Sequence, residues 1–182
     1  TEQLVELLKS RIPDPASRIL DVGTGSGVIA LSLAAQFPEA VVQAVDISEE
    51  ALTLARENAA RLGLQDRVRF AHSHLLAAVD GPFDLIVANL PYIATADRAT
   101  LSREVLRDPE IALFAGQDGD ELVRELIEAA PARLRPGGLL ALEVGIGQAD
   151  GLVSFLTEKN FHDITAIQDY GGVKRFLFGR YG

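Results

Sequence analysis

The sequence contains no cysteine and no methionine among its 182 residues. Without cysteine, the chain can form neither a disulfide bond nor a thiolate metal site. Because it starts at Thr1 and lacks methionine, we expect a fragment or a trimmed form of a longer protein. No apolar run approaches the roughly 18 residues that a membrane-spanning helix needs. No charged and then apolar leader is visible either, so we expect no membrane partner and no secretion signal.

Basic residues are also scarce. The chain has 17 lysines and arginines against 26 aspartates and glutamates, a formal net charge of −9. Because phosphate contacts supply most of the affinity of nucleic-acid-binding proteins, we expect no direct binding of nucleic acid. The acidic excess favours solubility, and the alternative is an acidic field that suits a cationic ligand or a basic partner. The length and the 48% hydrophobic share predict a single globular domain over residues 1–182.

The sequence does contain an alternation of short apolar strands and amphipathic helices. Strands joined by helices predict an α/β fold, a mostly parallel sheet with helices on both faces. The last two strands are linked too tightly for a crossover helix, so we expect them to be antiparallel. The predicted helices are 1–11, 28–37, 48–62, 119–134 and 148–158, and the seven predicted strands are 17–23, 41–46, 68–71, 85–88, 139–144, 162–168 and 173–178. Residues 94–118 show no clear period, which is typical of a functional loop.

A glycine-rich loop follows the first predicted strand. Glycine at alternate positions lets the backbone approach a ligand closely and turn sharply into a helix whose first amides are free donors. A dinucleotide-binding fingerprint would need glycine at position 28, which is Val28 here. The loop instead resembles the cofactor loop of methyltransferases that use S-adenosylmethionine, and the simpler alternative is a plain tight turn. Its residues are Gly23, Thr24, Gly25, Ser26 and Gly27.

Asp46 ends the second predicted strand, about 20 residues after the glycine loop. A carboxylate there can accept both ribose hydroxyls of an adenosine, whereas the alternative is a loop or helix-capping aspartate. His72 and His74 follow the third strand, where the adenine ring would lie. We expect no metal there, because no cysteine or third histidine lies nearby in sequence. Leu75 and Leu76 are interpreted as pocket wall or core.

The fourth predicted strand ends in Asn89-Leu90-Pro91-Tyr92. Ligands bind at the carboxyl ends of the strands in open α/β sheets. An amide or aniline-like nitrogen is a poor nucleophile because its lone pair is delocalised, so an enzyme must hold both of its hydrogens. The side-chain oxygen of Asn89 and the backbone carbonyl of Leu90 can accept them, Pro91 fixes the turn, and Tyr92 offers a flat surface. The alternative is an ordinary Asn-Pro turn.

Taken together, these motifs resemble the class I methyltransferases and, among them, the release-factor glutamine methyltransferases. The resemblance covers nearly the whole chain. Beyond the generic fold it rests on segments in the second half of the sequence and on Thr1-Glu2 at its start. The segments that carry it are 20–27, 44–46, 89–93, 104–105, 109–113, 115–119 and 142–145, with Gln148, Asp169 and Arg175.

The resemblance implies a Rossmann-like fold and a cytoplasmic enzyme without a metal. Its S-adenosylmethionine would become S-adenosylhomocysteine as a methyl passes to the glutamine amide nitrogen in the Gly-Gly-Gln motif of peptide chain release factors. It implies that the glycine loop, Asp46, His74, Leu75 and Asn89 bind the cofactor. It further implies that residues 89–92 bind the glutamine, with Asn89 and Tyr92 catalytic. The helical N-terminal domain of the family is expected to be absent here.

Two departures from the family pattern stand out. Leu90 replaces a proline, which should leave the backbone acceptor intact in a less rigid loop. His74 replaces an acid near the adenine. Two other functions stay open: a methyltransferase of adenine amino groups in rRNA or DNA, because Asn-Leu-Pro-Tyr also occurs in rRNA adenine dimethyltransferases, and a non-catalytic scaffold.

Overall fold

The computed structural model describes residues 1–12, 14–93 and 116–182. Seven strands form one sheet in the order β3-β2-β1-β4-β5-β7-β6. The strands are β1 (Arg18–Val22), β2 (Val41–Asp46), β3 (Val68–His72), β4 (Phe83–Asn89), β5 (Leu134–Glu143), β6 (Phe161–Gln168) and β7 (Lys174–Tyr181). Within the described ranges, the α-helices are α1 (Glu2–Lys9), α2 (Val28–Gln36), α3 (Glu49–Arg61), α4 (Glu121–Ala129) and α5 (Ala149–Glu158).

The directions of the strands confirm the predicted sheet. Neighbouring strands from β3 through β5 are parallel. Strand β7 is antiparallel to both β5 and β6, so β6 runs with the parallel set. The sheet is therefore mostly parallel with an antiparallel last strand, as the tight link before β7 predicts.

Both faces of the sheet are buried, because side chains alternate between two cores. In β4, Leu85 and Val87 pack into the core that contains the buried residues of α1 and α2. Ile86 of the same strand packs into the other core, which contains the buried residues of α4 and α5. With helices on both faces, only the ends of the strands remain for a ligand.

Local sequence signals explain where most elements begin and end. Ser48 caps α3 by accepting a hydrogen bond from the Ala51 backbone nitrogen at 3.2 Å, and Gly63 follows that helix with a φ of +69°. The predicted helix 119–134 was wrong at its end. The helix ends at Ala129 and a 3₁₀ turn follows over Ala130–Ala132, because Pro131 has no N–H with which to continue the α-helix.

Strand β5 also begins earlier than predicted. Leu134 already pairs with Phe83 of β4, and the register shifts between this pair and the Leu85–Leu139 pair that begins the regular ladder. Of the predicted loop 94–118, residues 94–115 lie outside the described residues. Within the part of the chain that is described, no helix is long and apolar enough to cross a membrane.

Candidate functional site

The candidate site lies at the carboxyl ends of β2, β1, β4 and β5. In register, Val22 of β1 lies between Val45 of β2 and Ala88 of β4. The strand order reverses at β1, and in open α/β sheets this point forms a crevice for ligands. The residues that follow, the glycine loop and Asn89, therefore lie side by side.

Backbone hydrogen bonds hold the glycine loop onto β2. The backbone nitrogens of Gly23 and Thr24 both donate to the Val45 carbonyl, at 2.9 and 3.0 Å. Gly23, Gly25 and Gly27 all have positive φ angles, at +70°, +54° and +84°, which favour glycine. A β-carbon on Gly25 would meet no atom within 4 Å. The loop thus presents bare backbone to open space, and the exposed Ser26 is fastened through its carbonyl to the side chain of Asn58 at 2.9 Å.

The Asp46 carboxylate joins the glycine loop to the end of β2. Its Oδ2 accepts a hydrogen bond from the Gly25 backbone nitrogen at 2.8 Å, and its Oδ1 accepts one from the Ser48 backbone nitrogen at 2.9 Å. The side chain is half-buried. A carboxylate has about four lone-pair positions, so Asp46 still has the capacity to accept two hydroxyl groups.

Asp21 lies beneath the loop, and sequence reasoning assigned it no role. Its Oδ2 accepts hydrogen bonds from the Thr24 hydroxyl at 2.6 Å and the Ala30 backbone nitrogen at 3.1 Å. Its Oδ1 is buried and has no hydrogen-bond partner among the described residues. Burial raises the pKa of Asp21 to about 6, and the two hydrogen bonds only partly oppose that rise. Its place between Leu20 and Val22 in an apolar strand was the available signal.

The segment after β3 contributes two leucines to the core that also contains Val45 of β2. Leu75, with a φ of +44°, and Leu76 are both buried. The His72 ring bonds to the Ile47 carbonyl at 2.9 Å. His74 is about half exposed, and its Nδ1 lies 3.4 Å from Glu125 Oε1. No group of three or more potential metal ligands occurs among the residues described.

Asn89 ends β4 with its side chain half-buried. Its Nδ2 donates a hydrogen bond to the Thr1 hydroxyl at 2.8 Å. The next residue, Leu90, is only 4% exposed and lies against the glycine loop, because its Cδ2 would be 2.7 Å from a β-carbon on Gly23. This contact was not predicted. It brings the two loops together directly.

Tyr92 is held from two sides. Its carbonyl accepts a hydrogen bond from Gln148 Nε2 at 3.2 Å, and Gln148 Oε1 in turn accepts one from the Gly145 backbone nitrogen at 2.8 Å. The Arg175 guanidinium lies 5.7 Å from the centre of the Tyr92 ring. Arg175 also donates to Asp169 at 2.8 Å, which lowers the pKa of Asp169 and raises that of Arg175. Pro91, half-buried between Leu90 and Tyr92, lies in the segment thus fixed.

The sequence of this chain is similar to those of known proteins. Residues 1–116 match the family model described as methyltransferase small domain. A release factor glutamine methyltransferase from Deinococcus radiodurans is 48% identical over 163 residues, 90% of this chain and 58% of that protein. One from Geobacter sulfurreducens is 43% identical over 184 residues, 100% of this chain and 64% of that protein. The chain thus spans about three-fifths of the length of these two relatives.

A solved structure has the same fold. The crystal structure of a ribosomal protein L11 methylase from Lactobacillus delbrueckii subsp. bulgaricus superimposes with a TM-score of 0.72 at 27% identity. The match covers 99% of this chain and 76% of that one. The resemblance therefore extends over the whole sheet and its helices.

Proposed function

The chain belongs to the methyltransferase small domain family, and we propose that it methylates the side-chain amide nitrogen of the glutamine in the Gly-Gly-Gln motif of a peptide chain release factor, in the cytoplasm. The observation that carries this proposal is the contact between two loops at one edge of the sheet. The glycine loop next to Asp46 and the segment that begins at Asn89 meet through Gly23 and Leu90. Relatives named release factor glutamine methyltransferase support the choice of substrate.

The residues around the glycine loop fit S-adenosylmethionine. Asp46 retains the capacity to accept two ribose hydroxyls, Gly25 leaves room for a ligand at the backbone, and Leu75 supplies an apolar wall near His74 for the adenine. Gly23, Thr24, Ser26 and Gly27 complete the loop. When bound, this cofactor supplies an electrophilic methyl group on a sulfonium and becomes S-adenosylhomocysteine, and the chemistry needs no metal.

The segment 89–92 fits the amide that receives the methyl group. Because the Asn89 Nδ2 donates to Thr1, the Asn89 Oδ1 is left to accept one hydrogen of the glutamine amide. The backbone carbonyl of Leu90 would accept the other hydrogen, which leaves the nitrogen lone pair free to take up the methyl group while one N–H proton is lost to water. The Tyr92 ring lies flat against the amide, and Pro91 fixes the turn between Leu90 and Tyr92. Catalysis by this site is mostly a matter of position and orientation.

A transfer assay with labelled S-adenosylmethionine tests the proposal. We expect label to enter a release factor that carries Gly-Gly-Gln and to be absent from the same factor with Gly-Gly-Glu. Ribosomal RNA, offered in parallel, should stay unlabelled, because the net charge of −9 disfavours binding to phosphates. If the RNA became labelled and the release factor did not, the proposed function would be wrong and the result would support methylation of adenine. If neither the release factor nor the RNA became labelled and the protein did not bind S-adenosylmethionine, the result would favour a non-catalytic scaffold.

Asn89→Ala in the same assay tests the role of the carboxamide. We expect turnover to fall roughly 100-fold or more, the scale seen when one preorganised polar contact to a reacting group is removed. The melting temperature should barely change, because Asn89 is half-buried at the end of its strand. A large loss of melting temperature with turnover preserved would show that Asn89 serves the fold.

A further inference from the structure

The hydroxyl of Thr1 does not cap helix α1, although Thr1 stands at its N-terminus. Thr1 occupies the N-cap of α1, where threonine ordinarily bonds to a free amide of the first turn. Its carbonyl accepts from the Val5 nitrogen at 3.1 Å, so the backbone is placed as a cap, yet its side chain makes no capping bond. Ser48 in the same position of α3 does cap its helix. The Thr1 hydroxyl therefore has another partner.

That partner is the side chain proposed to hold the substrate. The Thr1 Oγ1 accepts a hydrogen bond from Asn89 Nδ2 at 2.8 Å, a good distance for such a bond. A carboxamide has its donor and its acceptor on opposite sides of one plane. Fixing the NH₂ group on Thr1 therefore fixes the direction of the Asn89 Oδ1 as well.

A buried carboxylate lies beside Thr1. Glu143 ends β5 directly beside Asn89 in the parallel register, and it is 6% exposed. Its Oε2 lies 3.1 Å from the Thr1 backbone nitrogen. Thr1 and Glu143 both line an open groove of about 690 Å³, so the assembly is within reach of an incoming protein segment.

We infer that Thr1 is a positioning residue, which turns the Asn89 carboxamide so that its Oδ1 faces the acceptor nitrogen. The inference rests on the proposed function for the identity of the acceptor, but the orientation of Asn89 is a property of the free protein. A misplacement of about 1 Å at a reacting group can cost roughly 100-fold in rate, so the hydroxyl should matter although it does not touch the substrate.

A matched pair of variants tests this role. Thr1→Val keeps the shape of the side chain and removes the hydroxyl, whereas Thr1→Ser keeps the hydroxyl. We expect Thr1→Val to lower kcat between roughly tenfold and 100-fold, with the Kd for S-adenosylmethionine and the melting temperature close to wild type. Thr1→Ser should restore most of the turnover. Thr53→Val, which removes the hydroxyl that bonds to the Glu49 carbonyl on the exposed side of α3, should behave as wild type.

A second measurement does not depend on the substrate. The side-chain NH₂ signals of Asn89, assigned by their loss in Asn89→Ala, should exchange roughly tenfold faster in Thr1→Val than in wild type or Thr1→Ser, because the bond to Thr1 is lost. Unchanged exchange in Thr1→Val would overturn the inference, and so would faster exchange with full turnover. If the wild-type protein methylates no release factor, the proposed function fails, and the exchange rates still decide whether Thr1 holds Asn89. A joint loss of cofactor binding and melting temperature in Thr1→Val would instead make Thr1 a structural residue.

Discussion

Asp21 in the candidate site carries a carboxyl group whose ionised form is disfavoured by burial. It is fully buried, and one of its oxygens has no partner among the residues described. The Thr24 hydroxyl and the Ala30 backbone nitrogen both donate to the other oxygen. These bonds connect the carboxyl to the glycine loop on one side and to the first turn of α2 on the other. The protonation of one side chain thus bears on the part of the loop that approaches the cofactor.

The raised pKa of Asp21 predicts how stability depends on pH. The pKa is about 6 in the folded protein against 3.8 ordinarily. Between these values the unfolded chain has released the proton and the folded protein retains it, so the free energy of unfolding falls as pH rises through this window. The stability that Asp21 contributes is thus present below about pH 4 and lost above about pH 6.

Asp21→Asn should remove this dependence. Relative to wild type, the variant should gain roughly 2.5 kcal/mol in free energy of unfolding between pH 4 and pH 7, because each pKa unit corresponds to about 1.4 kcal/mol and part of the effect is already present at pH 4. Denaturant titrations of both proteins across this range measure the difference, in which the other carboxyl groups cancel. A difference that does not vary with pH would show that Asp21 ionises normally in the folded protein.

Some properties of single residues in the site were predictable from the sequence, and others were not. Asp46 and Asn89 were predicted to end their strands and do so, because an apolar run that stops at a polar residue is visible in the sequence. The bond between Thr1 and Asn89 was not predictable, since it joins residues 88 positions apart through the order of the strands. The packing of Leu90 on Gly23 was missed for the same reason.

At the scale of elements, the turn between β1 and α2 has two separate reasons to need glycine. Gly23 has a φ of +70°, and a β-carbon there would lie 2.7 Å from Leu90 Cδ2. Gly63, after α3, has nearly the same φ of +69°, but open space surrounds its Cα. Comparing substitutions at Gly23 and Gly63 therefore distinguishes the free-energy cost of a left-handed backbone from that of a steric clash with Leu90.

Gly63→Ala should cost about 1–2 kcal/mol in free energy of unfolding, the penalty for a side chain in the left-handed region. Gly23→Ala should cost about 1 kcal/mol more, because the buried Leu90 must move to admit the methyl group. Leu90→Ala in the Gly23→Ala background should show a favourable coupling energy in a double-mutant cycle. Equal costs for Gly23→Ala and Gly63→Ala would mean that Leu90 yields freely and does not connect the two loops.

Element boundaries were predictable where caps and breakers are local. Strand β2 over Val41–Asp46 and helix α2 from Val28 match their predictions, because the breaker Pro38 separates two clear apolar patterns. The start of β5 at Leu134 was not predictable, since it depends on pairing with Phe83 of a different strand. Pairing partners distant in sequence leave no local signal.

At the scale of the whole molecule, a ligand that binds only the folded state should stabilise it. With S-adenosylmethionine at 100 times its Kd, the free energy of unfolding should rise by about 2.7 kcal/mol. For a domain of this size the melting temperature should rise by about 5–10 °C. Differential scanning fluorimetry measures this shift, and ATP at equal concentration is the control.

Asp46→Asn should reduce this shift, because an amide offers one acceptor oxygen where the carboxylate offers two. The variant without ligand should melt somewhat below the wild-type temperature, because the amide oxygen can accept only one of the Gly25 and Ser48 bonds. The ligand-induced shift is therefore measured from each protein's own melting temperature without ligand. A full shift in Asp46→Asn would place the ribose elsewhere, and a shift with ATP equal to that with S-adenosylmethionine would point to another nucleotide.

The insertion of β7 between β5 and β6 has a consequence for biosynthesis. Until β7 has left the ribosome, β6 lacks its partner strand in the described sheet and β5 displays a row of unpaired amides and carbonyls along one edge. The nascent chain is then vulnerable to pairing with a neighbouring polypeptide. Insertion of Lys174–Tyr181 between them closes that gap, so β5 and β6 most need shielding by chaperones in the interval before β7 has emerged.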